Sequence, residues 1–102
     1  VLRTMSDHET RLRAAIDDRS AVVGVIGLGY VGLPLAMAFA EAGFTVVGYD
    51  VSARVVDGLM AGRSHVQDVP SEQVAQHRAT GRFRASTDAA ILAGASAISI
   101  AV

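Results

Sequence analysis

One stretch decides the fold: Val22-Val23-Gly24-Val25-Ile26-Gly27-Leu28-Gly29-Tyr30-Val31-Gly32. Its first half is a short apolar strand, its second half is a G-x-G-x-x-G turn, and a long apolar run typical of a helix follows. A second apolar run, Thr45–Tyr49, ends in Asp50, eighteen residues after Gly32. A strand, a glycine turn, a helix and a second strand that ends in an acid together predict a dinucleotide-binding unit.

Each glycine of the turn has its own expected role. Gly27 lets the chain turn sharply out of the strand, Gly29 lets a pyrophosphate approach the backbone, and Gly32 lets the helix pack closely against the strand. The N–H groups of the first helical turn then face the pyrophosphate. The chain has no lysine, which argues against a Walker-type phosphate loop. A purely structural glycine turn is the alternative, and the flanking strands and acid disfavour it.

Asp50 is predicted to select the cofactor. A carboxylate at the tip of the second strand accepts hydrogen bonds from the adenosine ribose hydroxyls and repels a 2′-phosphate, so it favours NAD over NADP. Arg54 follows four residues later. It has two readings: it contacts a phosphate or stacks on the adenine, or it is a solvated helix residue.

Length and composition restrict the class of protein. The 102 residues suffice for one small domain. The mean hydropathy of +0.38 indicates that some apolar surface is covered by something else. A net charge of −1 gives no sign of a nucleic-acid or membrane partner. The absence of cysteine excludes disulfides, thiolate metal sites and a thiol nucleophile within the chain. Polar residues 1–20 do not resemble a signal peptide, so a cytoplasmic location is the default expectation.

Apolar runs and capping residues along the chain predict alternating helices and strands. We expect, in order, a helix over 7–19, a strand over Val22–Ile26, a helix over 31–42, a strand over Thr45–Tyr49, helices over 53–61 and 71–78, a strand over Phe83–Ser86, a helix ending at Leu92 and a buried strand over 95–102. The predicted helix caps are Ser6, Ser52, Ser71 and either Ser86 or Thr87. This order predicts an α/β fold, a doubly wound parallel sheet of the Rossmann type preceded by an N-terminal helix.

The same pattern suggests how the chain is divided. Residues 1–20 are expected to form a helical extension, and residues 21–102 a dinucleotide-binding domain. Such a domain usually has about six strands, whereas only four are recognisable here, and the last one stops while still apolar. We therefore expect an incomplete domain that forms the first part of a larger enzyme.

A resemblance to a known family is carried by the run Val25-Ile26-Gly27-Leu28-Gly29-Tyr30-Val31-Gly32-Leu33-Pro34-Leu35-Ala36. This run resembles the start of the UDP-glucose/GDP-mannose dehydrogenase family, and is most similar to its UDP-N-acetylglucosamine and UDP-N-acetylmannosamine 6-dehydrogenases. The loop from Gly62 to Pro70 and the strands near Phe83 and Ile98 also fit the family. The Gly-Tyr-Val-Gly-Leu-Pro sequence is far more specific than the glycines alone.

The resemblance implies an activity for the larger protein. Members oxidise the C6 alcohol of a UDP-(N-acetyl)hexosamine to a carboxylate with two NAD, which supplies precursors of surface polysaccharides. The family's catalytic cysteine, lysine and acid would lie beyond this chain, so no catalytic residue is predicted here. The expected partners are a UDP-sugar and further copies of the same protein, which would associate through parts of it outside these residues.

The resemblance also implies that Tyr30 and Val31 offer backbone N–H groups to the pyrophosphate. The residues predicted to bind NAD are then Gly27, Gly29, Tyr30, Val31, Gly32, Asp50 and Arg54. Thr87 either approaches the cofactor or caps a helix. His65 and Asp68 lie in a loop that faces the nucleotide sugar or is simply surface, and His77 is expected to be exposed.

Two other functions remain open at this point. A hydroxyacid dehydrogenase of the 6-phosphogluconate type also begins with a glycine turn, but it would lack the Gly-Tyr-Val-Gly-Leu-Pro sequence. A non-catalytic nucleotide-sensing module has the same fold, and fold alone does not exclude it.

Overall fold

A computed structural model describes residues 21–101 of the chain, so the helix predicted over 7–19 lies outside the described residues. The elements are β1 (Val22–Ile26), α1 (Gly32–Glu41), β2 (Thr45–Tyr49), α2 (Ala53–Met60), α3 (Ser71–Ala79), β3 (Phe83–Ser86), a 3-10 helix (Ala89–Gly94) and β4 (Ala97–Ile100). The bounds of β1, β2 and β3 are those predicted. The predicted ends of α1 and α2 differ from the observed ends by one residue at most, which is the normal uncertainty of a helix terminus.

The four strands form one parallel sheet in the order β3-β2-β1-β4. β1 lies at the centre, where Val23 pairs with Val46 of β2 on one side and with Ala97 of β4 on the other. Parallel neighbours cannot be joined by a tight hairpin, so each connection must cross over the sheet. The predicted Rossmann-type α/β fold is confirmed. Because β1 and β2 are parallel neighbours, their carboxyl ends lie side by side.

Within residues 21–101, α-helices cover one face of the sheet, and a short 3-10 helix packs on part of the other. Val23 and Val25 of β1 join the main core cluster together with Leu33 of α1 and Leu59 of α2. Side chains alternate between the faces of a strand, so Gly24 faces the opposite side. There, an added Cβ on Gly24 would come within 2.9 Å of Leu92 in the 3-10 helix. The 3-10 helix therefore packs on the face that α1 and α2 leave open.

Of the helix caps predicted within residues 21–101, two are wrong and one is confirmed, while the predicted cap Ser6 lies outside the described residues. The Ser52 hydroxyl accepts a hydrogen bond from the Val55 N–H, as predicted. Pro70 occupies the position before α3, while the Ser71 hydroxyl instead accepts from the Ser64 N–H at 2.9 Å. The helix after β3 is a 3-10 helix capped by Asp88, because the Asp88 carboxylate, rather than Ser86 or Thr87, accepts from the Ala90 N–H.

The last strand is shorter and more exposed than predicted. β4 spans Ala97–Ile100, whereas a buried strand was expected over 95–102. Ile98 and Ile100 are 52% and 67% exposed. Within residues 21–101, β4 pairs only with β1 and forms an edge of the sheet, so one of its sides has no neighbour. An apolar run predicts a strand, but it does not reveal whether another element covers it.

His77 is buried, contrary to the prediction that it is exposed. It lies on α3 with 6% of its surface exposed, and its Nε2 lies 2.8 Å from a carboxylate oxygen of Glu41 at the end of α1. Gln73 of α3 donates a second hydrogen bond to the same carboxylate. The His77 hydrogen bond, followed by that from Gln73, lowers the pKa of Glu41 below its usual value. These polar contacts tie α3 to α1, and the sequence gives no sign of them because 36 residues separate the histidine from the glutamate.

This contact predicts how stability depends on pH. Because folding lowers the pKa of Glu41, its carboxylate stabilises the fold above about pH 4, and this contribution is lost as the pH falls through the lowered value. The melting temperature of Glu41→Gln should therefore lie below that of the wild type near neutral pH, and the difference should shrink below about pH 4.

The matched control is Asp57→Asn, which changes an exposed acid on α2. It should give a smaller difference that varies less with pH. If the melting temperatures of wild type and Glu41→Gln differ by the same amount from neutral to acid pH, the stabilising role of the Glu41 carboxylate is contradicted.

Candidate functional site

The glycine turn between β1 and α1 depends on three glycines for three different reasons. Gly27 has a φ of +90°, in the left-handed region that favours glycine, and its N–H donates to the Tyr49 carbonyl. An added Cβ on Gly32 would lie only 1.5 Å from the Gly27 carbonyl oxygen, so α1 begins in direct contact with the end of β1. An added Cβ on Gly29 would meet nothing within 4 Å. A side chain is therefore disfavoured by the backbone at Gly27 and excluded by contact at Gly32, whereas at Gly29 there is space for one.

Within residues 21–101, the two residues just before α1 present unpaired backbone N–H groups. The Gly29 and Val31 carbonyls accept hydrogen bonds from the Leu33 and Leu35 N–H groups, as in the first turns of a helix. The N–H groups of Tyr30 and Val31 make no hydrogen bond with any residue of the range 21–101, and no side chain caps this helix. Tyr30 is 82% exposed. Unpaired N–H groups at the positive end of the helix dipole favour an anion at this position.

Asp50 follows β2 and reaches across to the glycine turn. One carboxylate oxygen accepts from the Leu28 N–H and the other accepts from the Ser52 N–H, each at 2.9 Å. Each oxygen keeps a further lone pair, so the half-buried carboxylate is still able to accept from a ligand hydroxyl. The sequence predicts the ribose role of this acid, but not its bond to the turn, which links residues 22 positions apart.

Arg54 lies on the first turn of α2, exposed to solvent. It lines an open cavity of about 570 Å³ together with Ser52, Val55, Gly58, Arg63, Ser64 and His65. Within residues 21–101 its guanidinium makes no hydrogen bond or ion pair. The structure therefore brings the glycine turn and Asp50 together, and leaves Arg54 beside them without a contact to the carboxylate.

Sequence reasoning missed the position of His65. Its Nε2 lies 2.6 Å from the Leu28 carbonyl oxygen, so the loop after α2 touches the glycine turn. The two residues are 37 positions apart, and no local pattern marks such a contact. Asp68 and Thr87 are exposed, and neither side chain makes a hydrogen bond within the described residues.

Comparison with known proteins assigns the chain to a family. Residues 21–102 match the model of the UDP-glucose/GDP-mannose dehydrogenase family, NAD binding domain. The chain belongs to this family. Its cofactor is therefore NAD, and the residues fit that cofactor. The Tyr30 and Val31 N–H groups have no partner among residues 21–101, a Cβ on Gly29 would meet open space, and the Asp50 carboxylate bonds to the same turn.

Individual relatives agree in sequence and in fold. The UDP-N-acetyl-D-mannosamine dehydrogenase of Escherichia coli K12 is 41% identical over 68 residues, which are 66% of this chain. The crystal structure of a GDP-mannose dehydrogenase from Pseudomonas aeruginosa, solved as a ternary complex, has a TM-score of 0.73 and 32% identity over 78% of this chain. A UDP-glucose dehydrogenase structure from Pyrobaculum islandicum has a TM-score of 0.73 and 40% identity over 80% of the chain.

The matches concern only part of each relative. The chain covers 16% of the Escherichia coli protein and 19% of the Pseudomonas aeruginosa structure. The likeness is thus to the cofactor-binding domain of these oxidoreductases. No helix within residues 21–101 is long and apolar enough to cross a membrane.

The glycine geometry predicts two opposite phenotypes. Gly32→Ala should destabilise the domain by about 3 kcal/mol or more, because its Cβ would overlap the Gly27 carbonyl. Gly29→Ala should change stability by no more than about 0.5 kcal/mol, since its Cβ points into open space. It should nevertheless weaken NAD binding, because the methyl group occupies the space expected for the pyrophosphate.

Thermal unfolding and NAD titration of both variants, made in the full-length protein, separate these effects. Each variant serves as the control for the other. Unchanged NAD affinity in Gly29→Ala would mean that the pyrophosphate does not lie over Gly29.

Proposed function

We propose that this chain is the cofactor-binding part of an NAD-dependent nucleotide-sugar 6-dehydrogenase. In this proposal the whole protein oxidises the C6 alcohol of a UDP-N-acetylhexosamine to a carboxylate with two NAD, for the synthesis of surface polysaccharide precursors. The family match and the UDP-N-acetyl-D-mannosamine dehydrogenase of Escherichia coli support this substrate class. The proposal rests on the Tyr30 and Val31 N–H groups, which have no partner among the described residues, and on the Asp50 carboxylate, which bonds to the same glycine turn.

The geometry suggests how the chain holds the cofactor. The pyrophosphate lies against the Tyr30 and Val31 N–H groups, and the lack of a side chain at Gly29 leaves room for it. The adenosine ribose donates its hydroxyls to Asp50, whose position is already fixed by two backbone N–H groups. Bound NAD supplies the hydride acceptor of the reaction. The residues of this chain bind and orient it.

The reacting groups belong elsewhere in the same proposal. The chain contains neither cysteine nor lysine. It therefore supplies neither the catalytic cysteine nor the catalytic lysine expected of the family. We place these groups in the rest of the protein, together with the sugar site and the contacts of a homo-oligomer, and we expect the enzyme to work in the cytoplasm. The family match disfavours a hydroxyacid dehydrogenase of the 6-phosphogluconate type.

A stoichiometric assay tests the activity. The full-length protein is incubated with excess NAD and limiting amounts of each of several UDP-sugars, and NADH is counted per sugar consumed. We expect two NADH per UDP-N-acetylhexosamine, because alcohol to carboxylate is a four-electron oxidation. One NADH per sugar, or no turnover with any nucleotide sugar, would refute the proposed reaction.

A binding experiment tests the cofactor site separately from the chemistry. Asp50→Ala should weaken NAD binding by about 1–3 kcal/mol, because the ribose hydroxyls lose their acceptor and the Leu28 N–H loses its partner. Asp57→Ala, which removes an exposed acid from α2, is the control and should bind NAD like the wild type. Equal affinities for Asp50→Ala and the control in calorimetric titration would mean that Asp50 does not hold the ribose.

A further inference from the structure

Leu28 is held on three sides within the glycine turn. Its side chain is fully buried against Gly48, where an added Cβ would come within 2.8 Å of the leucine δ-carbons. Its N–H donates to Asp50 at 2.9 Å. Its carbonyl oxygen lies 2.6 Å from His65 Nε2. A carbonyl only accepts, so Nε2 carries the hydrogen and donates, and it does so in both the neutral and the protonated imidazole.

The loop that carries His65 is itself well anchored. Val66 and Val69 are both buried in the core. The Val69 N–H donates to the Val66 carbonyl, which closes a turn between them. The Ser64 N–H donates to the Ser71 hydroxyl, and the Ser64 hydroxyl donates to the Val66 carbonyl. His65 therefore projects from a fixed support, and its contact with Leu28 constrains the glycine turn rather than the loop.

The constraint falls on the peptide between Leu28 and Gly29. In a trans peptide the C=O and the N–H point in opposite directions, so a carbonyl held by His65 directs the Gly29 N–H away from the histidine. That N–H has no partner among residues 21–101. Gly29 has no side chain to resist rotation and has open space around it. If this peptide flipped, the Leu28 carbonyl, an acceptor, would take the place of the Gly29 N–H, a donor, next in sequence to the Tyr30 N–H.

We propose that His65 is a positioning residue of the NAD site, which holds the Leu28–Gly29 peptide so that the turn offers N–H groups, and not a carbonyl, to the pyrophosphate. This inference rests on the proposed position of the pyrophosphate over Gly29. It assigns His65 no contact with the reacting atoms. Its effect is on cofactor affinity, transmitted through one backbone carbonyl.

Three substitutions in the full-length protein test this role. His65→Phe keeps a ring but has no donor. His65→Gln carries an amide N–H₂ at about the reach of Nε2, whereas His65→Asn carries the same group one methylene shorter. We expect His65→Phe and His65→Asn to raise the Kd for NAD by up to about tenfold, because the freed peptide must then be ordered on binding, and His65→Gln to recover most of the affinity. Because the lost bond lies at an exposed side chain, the melting temperatures of His65→Phe and His65→Asn should fall only slightly.

Two further measurements distinguish positioning from a merely structural role. ADP-ribose, which has the diphosphate but no nicotinamide, should lose affinity as NAD does. In steady-state assays the KM for NAD should rise while kcat at saturating NAD changes little. Asp50→Ala is measured in parallel to monitor the cofactor site itself.

The outcomes separate this inference from the proposed function. If His65→Phe and His65→Asn bind NAD like the wild type while Asp50→Ala does not, the role of His65 is refuted and the site stands. If His65→Gln is as impaired as His65→Asn, or if affinity falls only with the melting temperature, positioning by the hydrogen bond is likewise refuted. If neither Asp50→Ala nor any His65 variant alters NAD affinity, the proposed position of the cofactor fails as well.

Discussion

The site depends on the contact between the start of α1 and the end of β1. The Gly27 carbonyl leaves no room for a Cβ at position 32. The helix therefore begins closer to the strand than any residue other than glycine at that position would allow. This close approach places the positive end of the helix dipole at the carboxyl edge of the sheet. There the Tyr30 and Val31 N–H groups have no partner among residues 21–101. A helix displaced by the width of a methyl group would move these donors, and with them the proposed position of the pyrophosphate.

The second determinant is a set of bonds that converge on the turn from distant parts of the chain. Asp50 reaches it from the end of β2, and His65 from the loop after α2. Both act on Leu28, whose side chain is already fixed in the core. These bonds to Leu28 restrict the conformation of the glycine turn before any ligand binds. Such preorganisation improves affinity, since less conformational freedom remains to be lost on binding.

Local signals predicted the β1–α1–β2 unit to within a residue at each end. The glycine turn, Pro34 in the first helical turn and the acid after β2 each act over a few residues, so the sequence alone reveals them. The errors concern features decided by packing between distant segments. His77 is buried because α3 lies against α1, and an apolar β4 is exposed because it forms an edge within the described sheet. The bond between His65 and Leu28 belongs to the same class.

In the proposed site, the charges favour NAD although two arginines line the adjoining cavity. Arg54 and Arg63 are exposed at the rim of the adjoining cavity, where solvent and salt reduce such charges to about 0–1 kcal/mol each. The Asp50 carboxylate is half-buried and fixed by two backbone N–H groups, so it cannot turn away from a second negative group. Like charges about 4 Å apart at a protein surface repel by about 4 kcal/mol. With Asp50 at the ribose as proposed, the fixed acid outweighs the exposed cations and disfavours a ribose that carries a 2′-phosphate.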